Sequence, residues 1–373
     1  MPRKIMIATG GTGGHIYPAM ALAQQFAMEQ NDAEILFVGG GLAQNRYFDR
    51  NEFDYRTVSC GAFTNRSPLS LLRSCSNISR GIWQSCAIIR EFRPDVVVGF
   101  GSYYSFPPLI AAKLKSVPLV LHEANSIPGK VNRLLAPYAC ATGVHFPQTL
   151  GLIKGKKYEV GMPLRTGFKK ASVAVDVARK YFGLQNGLTT LLVFGGSQGS
   201  NVINKLFPEA LLEMCCAENR RFQVIHIAGD IEEVQRLEQG YRKLGVIACV
   251  KVFEGQMGLA WQVADLVVSR SGASSIAEQL EYEVPGILIP FARAADDHQN
   301  HNADFLVDTV GGALKVQEKE LSAVSLGRLI SGFLENDGQQ LKSMSKAMGQ
   351  YKLMSRSLDL LGLIKKVVGS RTL

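Results

Sequence analysis

The sequence lacks the features that mark secreted and membrane-spanning proteins. No uninterrupted apolar segment approaches 18 residues, so no membrane-spanning helix is expected. The seven cysteines are scattered and none forms a Cys-x-x-Cys pair, which favours a reducing, cytoplasmic compartment. The first residues run into a strand-like segment and do not form the apolar stretch of a signal peptide. At 373 residues, the chain has the length of about two folded domains.

Acidic residues are scarce in the first half of the chain. Lys and Arg total 41 against 32 Asp and Glu, a formal net charge of +9. Residues 1–165 contain 18 basic and 10 acidic residues, whereas residues 166–373 are nearly balanced, with 23 and 22. The positive first half favours an anionic partner, such as a phosphorylated substrate or an anionic membrane surface. Nucleic acid is not expected as a partner, because the chain has no long basic run and no recognisable binding module.

Short β-branched runs alternate with helix-like segments along the whole chain. Apolar runs of this length, bounded by Gly and Pro, are typical of strands that are buried on both faces of a parallel sheet. The runs predict strands at Lys4–Thr9, Glu34–Val38, Asp95–Phe100, Pro118–His122, Thr142–Phe146, Thr189–Phe194, Phe222–Ala228, Cys249–Phe253, Leu266–Ser269 and Gly286–Pro290. We therefore expect an α/β fold of two doubly wound parallel-sheet domains that face a cleft.

Gly161 and Pro163 interrupt the pattern near the middle of the chain and indicate a domain boundary. We expect an N-terminal domain over residues 1–163 and a second domain over residues 164–340. The last segment, residues 341–373, has helical spacing of apolar residues and is expected to pack back on the first domain. Each half has a glycine-rich turn after its first strand, at the sheet edge where ligands of such folds bind.

The first glycine-rich turn reads TGGTGGHIYP over residues 9–18. Its glycines let backbone N–H groups approach a phosphate or another polar ligand at a helix N-terminus. The spacing matches neither the G-x-G-x-x-G dinucleotide motif nor a Walker loop. His15 lies at the end of the turn, where an imidazole can act as a general base near neutral pH. A tight turn followed by a helix-capping histidine explains the same residues without a ligand.

Two further turns follow strands in the second half. The turn at residues 195–201 reads GGSQGSN, and its backbone donors suit an anion such as a diphosphate. Residues 269–278 read SRSGASSIAE and open a helix that carries Glu278. A carboxylate at this position can accept two hydroxyls of a ribose while the backbone of the turn contacts a base edge. Alternatively, Glu278 is a solvated helix residue.

Two polar loops complete the candidate site. The loop at residues 290–303 contains DDHQNHN, in which His298 and His301 have a spacing that is a weak signal for a metal site. We expect this loop to orient hydroxyl groups instead. In the first half, residues 122–129 read HEANSIPG and follow a predicted strand, so that three polar side chains enter the predicted cleft. A loop held by its own hydrogen bonds is the alternative.

The segment Ser67–Arg90 has apolar residues at nearly helical spacing, interleaved with arginines. Such a helix can lie on an anionic membrane, with its apolar stripe in the interface and its arginines at lipid phosphates. The same pattern fits an amphipathic helix that packs on a protein core.

Taken together, these motifs resemble the MurG family, which belongs to glycosyltransferase family 28. The resemblance covers nearly the whole chain and rests on GGTGGH at 10–15, HE-x-N at 122–125, GGSQG at 195–199, RSGA at 270–273 and DHQ at 297–299. It implies a GT-B fold and a hexosyltransferase that moves GlcNAc from UDP-GlcNAc to the C4 hydroxyl of MurNAc in lipid I, with inversion, to give lipid II. It also implies a part in peptidoglycan biosynthesis, and so in cell shape and division, at the cytoplasmic face of the inner membrane as a peripheral protein.

The resemblance further implies roles for individual residues. His15 would be the candidate base, and Glu123 is the second candidate catalytic residue. The UDP-GlcNAc site would comprise Thr12, Gly13, Gly14, Asn125, Arg165, Ser197, Glu254, Ala273, Ser274, Ser275, Ile276, Ala277, Glu278 and Gln299. Arg165 and Ser197 would contact the diphosphate, and Glu278 the ribose. Because the chain has no Asp-x-Asp motif, we expect neither a protein-bound metal nor a cofactor, and assign the charge of departing UDP to the second glycine turn and Arg165.

The sequence departs from the usual family pattern at Ala124, Met162 and Ser102, where the family has Gln, Asn and Gly respectively. One alternative is a transferase of the same fold that acts on another acceptor, such as a diacylglycerol or a natural product. A sugar-nucleotide epimerase is a second alternative, and a catalytically dead membrane scaffold for wall synthesis is a third. The presence of His15 and Glu278 argues against the scaffold.

Overall fold

The computed structural model describes residues 2–61, 67–215, 222–355 and 358–369. The chain divides into two compact units, the first comprising Met1–Thr166 and Ser357–Leu373 and the second Gly167–Arg356. Residues 164–166 therefore belong to the first unit, and residues 341–356 to the second, which differs from the boundaries expected from the sequence. Residues 356–357 and 370–373 of the expected last segment lie outside the described part of the chain.

The first unit is a parallel sheet with helices on both faces. In chain order its elements are β1 (Lys4–Ala8), α1 (Gly13–Glu29), β2 (Glu34–Gly39), β3 (Asp54–Thr57), α2 (Pro68–Phe92), β4 (Val96–Gly99), α3 (Phe106–Leu114), β5 (Leu119–Glu123), α4 (Lys130–Leu135), β6 (Ala141–Val144), β7 (Lys157–Glu159) and, near the end of the chain, α13 (Leu360–Gly369). The seven strands are all parallel, in the order β3-β2-β1-β4-β5-β6-β7.

Alternation along the strands explains the two helical layers of this unit. In β1, Ile5 and Ile7 pack with α1 and α13, whereas Met6 and Ala8 point to the opposite face and pack with residues of α3. The helix α13, from near the end of the chain, thus packs on the first unit. The residues just before it also bind the unit, because Val160 and Leu358 form a parallel β-bridge.

The second unit repeats the plan with a six-stranded sheet. Its elements are α5 (Val175–Phe182), β8 (Thr189–Phe194), α6 (Asn201–Cys215), β9 (Phe222–Ile227), α7 (Ile231–Lys243), β10 (Ile247–Lys251), α8 (Met257–Val263), β11 (Leu266–Ser269), α9 (Ala273–Tyr282), β12 (Gly286–Leu288), α10 (His298–Asp304), β13 (Ala313–Lys315), α11 (Ala323–Leu334) and α12 (Gln339–Met354). The strands are parallel in the order β10-β9-β8-β11-β12-β13. In both units the order reverses at the first strand, which is the doubly wound arrangement expected from the sequence.

Each strand predicted from the sequence is present, and the structure adds β3, β7 and β13. All three added strands lie at sheet edges. In β3, Asp54, Arg56 and Thr57 are exposed, because an edge strand has a neighbouring strand along only one of its edges. Such a strand has no continuous apolar run, which is the signal that the prediction used.

Candidate functional site

His15 lies at the start of α1, directly after the glycine turn that follows β1. Its Nδ1 is 2.8 Å from the backbone carbonyl oxygen of Phe100. Because a carbonyl oxygen only accepts hydrogen bonds, Nδ1 carries the hydrogen, and the neutral ring has its lone pair on Nε2. In this tautomer, Nε2 is the ring nitrogen that can accept a proton, as a general base must. Thr12 is the N-cap residue of α1, and its side chain makes no capping hydrogen bond.

The first turn requires glycine because another loop approaches it closely. Gly11 has φ +91, and a Cβ there would lie 3.1 Å from Oγ of Ser102. Ser102 itself has φ 75 and ψ 148, a conformation that is adopted mainly by glycine. Its hydroxyl accepts a hydrogen bond from the N–H of Tyr104 at 3.3 Å, which offsets part of that strain. The conformation at position 102 therefore explains why the family usually has glycine there.

Glu123 holds the polar loop that follows β5. Its side chain is 3% exposed. One carboxylate oxygen accepts the N–H of Asn125 at 2.9 Å, and the other accepts the N–H of Gly129 and the side-chain amide of Asn132, both at 2.9 Å. The geometry thus favours a positioning role for Glu123 over the catalytic role expected from the sequence. Asn125 is half-buried on the loop that Glu123 orders.

The buried His122 has two other imidazoles near it, those of His15 and His145. Burial lowers the pKa of His122 to about 3, and the neighbouring His145 and His15 lower it further. Burial also lowers the pKa of His145 to about 4, against the effect of the Val160 backbone. The His122 and His145 rings are therefore neutral near pH 7, so His15 has an uncharged imidazole, that of His122, as a neighbour.

Arg165 belongs to the first unit and lies against α1. Its guanidinium carbon is 4.6 Å from the ring centroid of Tyr17, which follows His15 by two positions. Thr12 and Gly14 are exposed at the start of the same helix, whereas Gly13 is buried. The first unit thus carries Thr12, Gly13, Gly14, His15, Glu123, Asn125 and Arg165 of the predicted site.

The second unit carries the rest, beginning with the turn after β8. Gly199 has φ +75, and a Cβ at this position would collide with the backbone carbonyl oxygen of Ala228. Ser197 is exposed in the turn, and α6 begins directly after it, at Asn201. Backbone N–H groups at the start of a helix of this length form an anion-binding site together with the helix dipole. The geometry therefore suits the diphosphate contact predicted for this turn.

A buried chain of hydrogen bonds connects the strand behind the turn to the turn itself. Tyr241 lies 2.6 Å from Nδ1 of His226, and Nε2 of His226 lies 3.1 Å from Oδ1 of Asn204. The amide nitrogen of Asn204 donates to the carbonyl of Ala228 at 2.9 Å. Burial raises the pKa of Tyr241 and lowers that of His226 to about 3, so the tyrosine is the donor and the imidazole is neutral. Ala228 is the residue whose carbonyl touches Gly199.

Arg270 holds the other side of the same turn. Its guanidinium donates to Oγ of Ser200 at 2.9 Å and to the carbonyls of Ile289 and Pro290 at 3.1 and 3.2 Å. Glu318 forms an ion pair with it at 2.5 Å. A charge-neutralised arginine therefore links the start of α6 to the carboxyl end of β12.

The helix α9 begins at Ala273, with Gly272 as its N-cap residue. The side chains of Ala273, Ile276 and Ala277 are buried, so these residues can offer a ligand only their backbone. Glu278 is half-buried one turn into the helix, where its Oε2 accepts a hydrogen bond from the indole N–H of Trp261 at 2.8 Å. Ser274 and Ser275 are also half-buried at this helix end.

The side chain of Glu254 is engaged inside the unit. It is 4% exposed and lies 2.6 Å from Nζ of Lys251, and it accepts the N–H of Gln256 at 2.6 Å. Tyr181 donates to it at 3.3 Å. Since these partners occupy the carboxylate, Glu254 can face a ligand through its backbone, as the resemblance implies.

Gln299 lies in the first turn of α10. Its Oε1 accepts the N–H of Phe291 at 3.0 Å, and its backbone carbonyl accepts the hydroxyl of Ser271 at 2.7 Å. Within the described part of the chain, its Nε2 group has no hydrogen-bond partner and remains a donor for a ligand. Asp296 and Asp297, just before the helix, have φ 50 and 56, a left-handed conformation that is uncommon outside glycine.

Sequence reasoning gave no role to several residues that order this site. Arg270 lies inside a motif used for the resemblance, but its target, Ser200, is 70 positions away. His226 is the only charged or titratable residue of the strand FQVIHI, which is the signal that could have drawn attention to it. Trp261 is a buried aromatic residue that nothing in its local sequence distinguishes from core.

A second feature of the first unit is the outer surface of α2. Only Ser74, Gly81, Ser85 and Ile89 of this helix are buried. Three large side chains are instead strongly exposed, with Leu69 at 81%, Leu72 at 69% and Trp83 at 73%. In the described residues, no helix combines the length and apolarity needed to cross a membrane.

The architecture defines a class of protein before any comparison is made. Two doubly wound parallel sheets, each with a glycine turn after its first strand, form the GT-B type of glycosyltransferase fold. The N-terminal domain model of glycosyltransferase family 28 matches residues 5–144, and the C-terminal domain model of the same family matches residues 190–357.

Curated relatives extend this match along the chain. A protein of Protochlamydia amoebophila (strain UWE25), named UDP-N-acetylglucosamine--N-acetylmuramyl-(pentapeptide) pyrophosphoryl-undecaprenol N-acetylglucosamine transferase, is 51% identical over 320 residues, which cover 86% of this chain and 84% of the relative. A protein of the same name from Chlamydia felis (strain Fe/C-56) is 35% identical, covering 93% of this chain and 94% of its own. The chain therefore belongs to glycosyltransferase family 28, in its MurG group, and is a glycosyltransferase.

Solved structures confirm the fold. The crystal structure of Acinetobacter baumannii MurG matches with a TM-score of 0.75 at 23% identity, covering 98% of this chain and 100% of that one. A UDP-glucose: anthocyanidin 3-O-glucosyltransferase in complex with UDP matches with a TM-score of 0.67 at 15% identity, covering 99% of each chain. At these identities the likeness concerns the fold alone.

Proposed function

We propose that the protein transfers GlcNAc from UDP-GlcNAc to the C4 hydroxyl of MurNAc in lipid I, with inversion, to give lipid II. The observation that carries this proposal is the identity of 51% over most of the chain to a relative named for a transfer of this kind. The hydrogen bonds that hold the glycine turn of the second unit support UDP-GlcNAc as the donor. The exposed face of α2 supports a membrane-bound acceptor.

The donor would bind to the second unit. The start of α6, held by Ala228 on one side and Arg270 on the other, would receive the diphosphate. Glu278 would accept the ribose hydroxyls, since a carboxylate can accept several hydrogen bonds at once, including the one from Trp261. The amide group of Gln299 would donate to the sugar. The backbone at Glu254 and at residues 273–277 would contact the uridine.

The chemical step requires one base and one group that stabilises the leaving UDP. His15, as the tautomer with its lone pair on Nε2, would take the proton of the acceptor hydroxyl while that oxygen bonds to C1 of GlcNAc. The bond from C1 to the diphosphate oxygen breaks on the opposite face, so the configuration inverts and UDP leaves with the electron pair. The N–H groups at the start of α6, with Arg165, would stabilise the charge on UDP.

The lipid-linked acceptor would be reached at an anionic membrane surface. The buried face of α2 consists mainly of small residues, which leaves Leu69, Leu72 and Trp83 exposed. Arg73 and Arg80 are exposed on the same helix. This arrangement suits a peripheral attachment at the cytoplasmic face, with apolar side chains in the interface and arginines at lipid phosphates.

Release of UDP tests the reaction. Purified protein is given UDP-GlcNAc with lipid I, with diacylglycerol or with no acceptor, and UDP is measured. We expect release that requires lipid I, and a His15→Gln variant that binds UDP normally but turns over about 10²–10⁴ times more slowly. Release with diacylglycerol or without an acceptor would contradict the proposed acceptor. If UDP were released under none of these conditions, the proposed transferase activity would be wrong.

Vesicle binding tests the membrane attachment. The chain has two tryptophans, and Trp261 is buried, so quenching by a lipid-attached quencher reports on Trp83. We expect quenching with anionic vesicles, and a loss of about tenfold or more in partitioning for Leu72→Asp, because a buried leucine contributes about 1.5–3 kcal/mol. Leu353→Asp is the matched control, since Leu353 is also a strongly exposed leucine, on α12. Equal loss in both variants would contradict a specific role of α2.

A further inference from the structure

We infer that Trp261 is a positioning residue for Glu278, and that its indole N–H holds the carboxylate in the orientation that receives the ribose hydroxyls of a uridine diphosphate. The inference rests on the proposed function, because it deepens the part given there to Glu278. It assigns a function in nucleotide recognition to a side chain that touches no ligand itself.

The geometry places the indole between two parts of the nucleotide site. Trp261 lies on α8, is 1% exposed, and donates from Nε1 to Oε2 of Glu278 at 2.8 Å. Its ring meets the ring of Phe194 edge to face, with centroids 5.6 Å apart and an interplanar angle of 90°. Phe194 is the last residue of β8 and directly precedes Gly195, the first glycine of the turn. The buried side chain of Trp261 therefore contacts both the carboxylate of Glu278 and Phe194, which leads into the glycine turn proposed to bind the diphosphate.

The chemistry of the two groups explains why this contact orients the carboxylate. An indole N–H is only a donor, and an ionised carboxylate has about four acceptor positions, so it can accept the indole N–H and two hydroxyls at the same time. The terminal torsion of a glutamate side chain has broad minima and is weakly restricted by itself. A rigid, buried donor fixes this torsion before the nucleotide binds. The binding free energy is therefore not reduced by the entropy lost in ordering the Glu278 carboxylate.

A single substitution separates the hydrogen bond from the packing. Trp261→Phe keeps an aromatic ring beside Phe194 but removes the N–H donor. Hydrogen bonds to charged groups contribute enough to change affinity by about tenfold or more. We therefore expect Trp261→Phe to weaken UDP binding by about tenfold, and to leave unchanged the affinity for 2′,3′-dideoxy-UDP, which has no hydroxyls for Glu278.

Titration calorimetry with the two nucleotides tests the inference in the full chain, in its original form and as Trp261→Phe, Glu278→Gln and the double variant. We expect the original protein to prefer UDP, Trp261→Phe to lose most of that preference, and the double variant to bind UDP no more weakly than Glu278→Gln. A Trp261→Phe protein that keeps the preference, or that weakens both nucleotides equally, would show that Trp261 only fills the core. If the original protein itself has no preference, the role of Glu278 in the proposed function is wrong.

A second measurement does not depend on how well Trp261→Phe folds. With two tryptophans in the chain, the indole N–H resonance of Trp261 can be assigned in a Trp83→Phe protein. We expect this resonance to shift upfield in Glu278→Gln, because an amide oxygen is a weaker acceptor than a carboxylate, and to shift when UDP but not dideoxy-UDP is added. A resonance that responds to neither change would overturn the inference.

Discussion

Acidification should destabilise the second unit through one buried imidazole. His226 is fully buried, and burial, followed by the charge of Arg236, lowers its pKa to about 3 from an ordinary value of 6.5. Between these two values the unfolded chain binds a proton that the folded chain does not, so stability rises with pH and is lost as pH falls from about 6.5. From pH 8 to pH 5, the shift corresponds to a loss of about 2 kcal/mol.

Unfolding by urea at pH 8 and pH 5 measures this loss. In a Trp83→Phe background, the fluorescence of Trp261 reports on the second unit alone. Asp265 and Glu283 also have shifted pKa values in this unit, raised by burial and lowered by lysines respectively, so the comparison must be made with a variant that differs only at His226. We expect His226→Gln to lose about 2 kcal/mol less than its parent on acidification. The same pH dependence in both proteins would show that His226 does not cause the acid destabilisation.

Three further predictions concern the second glycine turn, the polar loop and the need for a metal. Gly199→Ala should destabilise the protein by about 2–3 kcal/mol in thermal unfolding and weaken UDP binding, because the added Cβ would meet the carbonyl of Ala228. Gly187 is the control, since it has a similar φ but open space around it, and Gly187→Ala should cost only about 1 kcal/mol. Glu123→Gln should lower stability by about 1–3 kcal/mol and slow turnover while keeping the pH–rate profile, and a lost basic or acidic limb would indicate a catalytic carboxylate instead. Transfer should be insensitive to EDTA, and activity that EDTA abolishes and Mg²⁺ restores would contradict the metal-free mechanism expected from the sequence.

The central strands of both sheets could be predicted because each is buried on two faces. In β1 and β8 nearly every residue is apolar, so the pattern is visible without knowledge of the partners. The edge strand β7, with the sequence KYE, has no such pattern and depends on its pairing with β6. The helix α12 has the apolar spacing expected of the last segment, but it belongs to the second unit, and only α13 returns to the first.

The glycine turns could also be predicted, because their requirement for glycine is local. Residues that act across the fold could not. Arg270 reaches Ser200 over 70 positions of sequence, and His226 reaches Tyr241 and Asn204 from neighbouring helices. For Glu123 the sequence predicts a catalytic carboxylate, but a catalytic and a loop-holding carboxylate have the same sequence signal. Hydrogen-bond partners alone distinguish them, and those depend on tertiary structure.

The structure of the product is the most direct test of the proposed transfer. Protein is incubated with lipid I and UDP-GlcNAc labelled with ¹³C in the sugar, and the isolated lipid is analysed by NMR and mass spectrometry. We expect one added GlcNAc, joined by a β linkage to the C4 oxygen of MurNAc, with UDP released in equal amount. An α-linked product, attachment at another oxygen, or labelled GlcNAc found only as free sugar would contradict the proposed transfer.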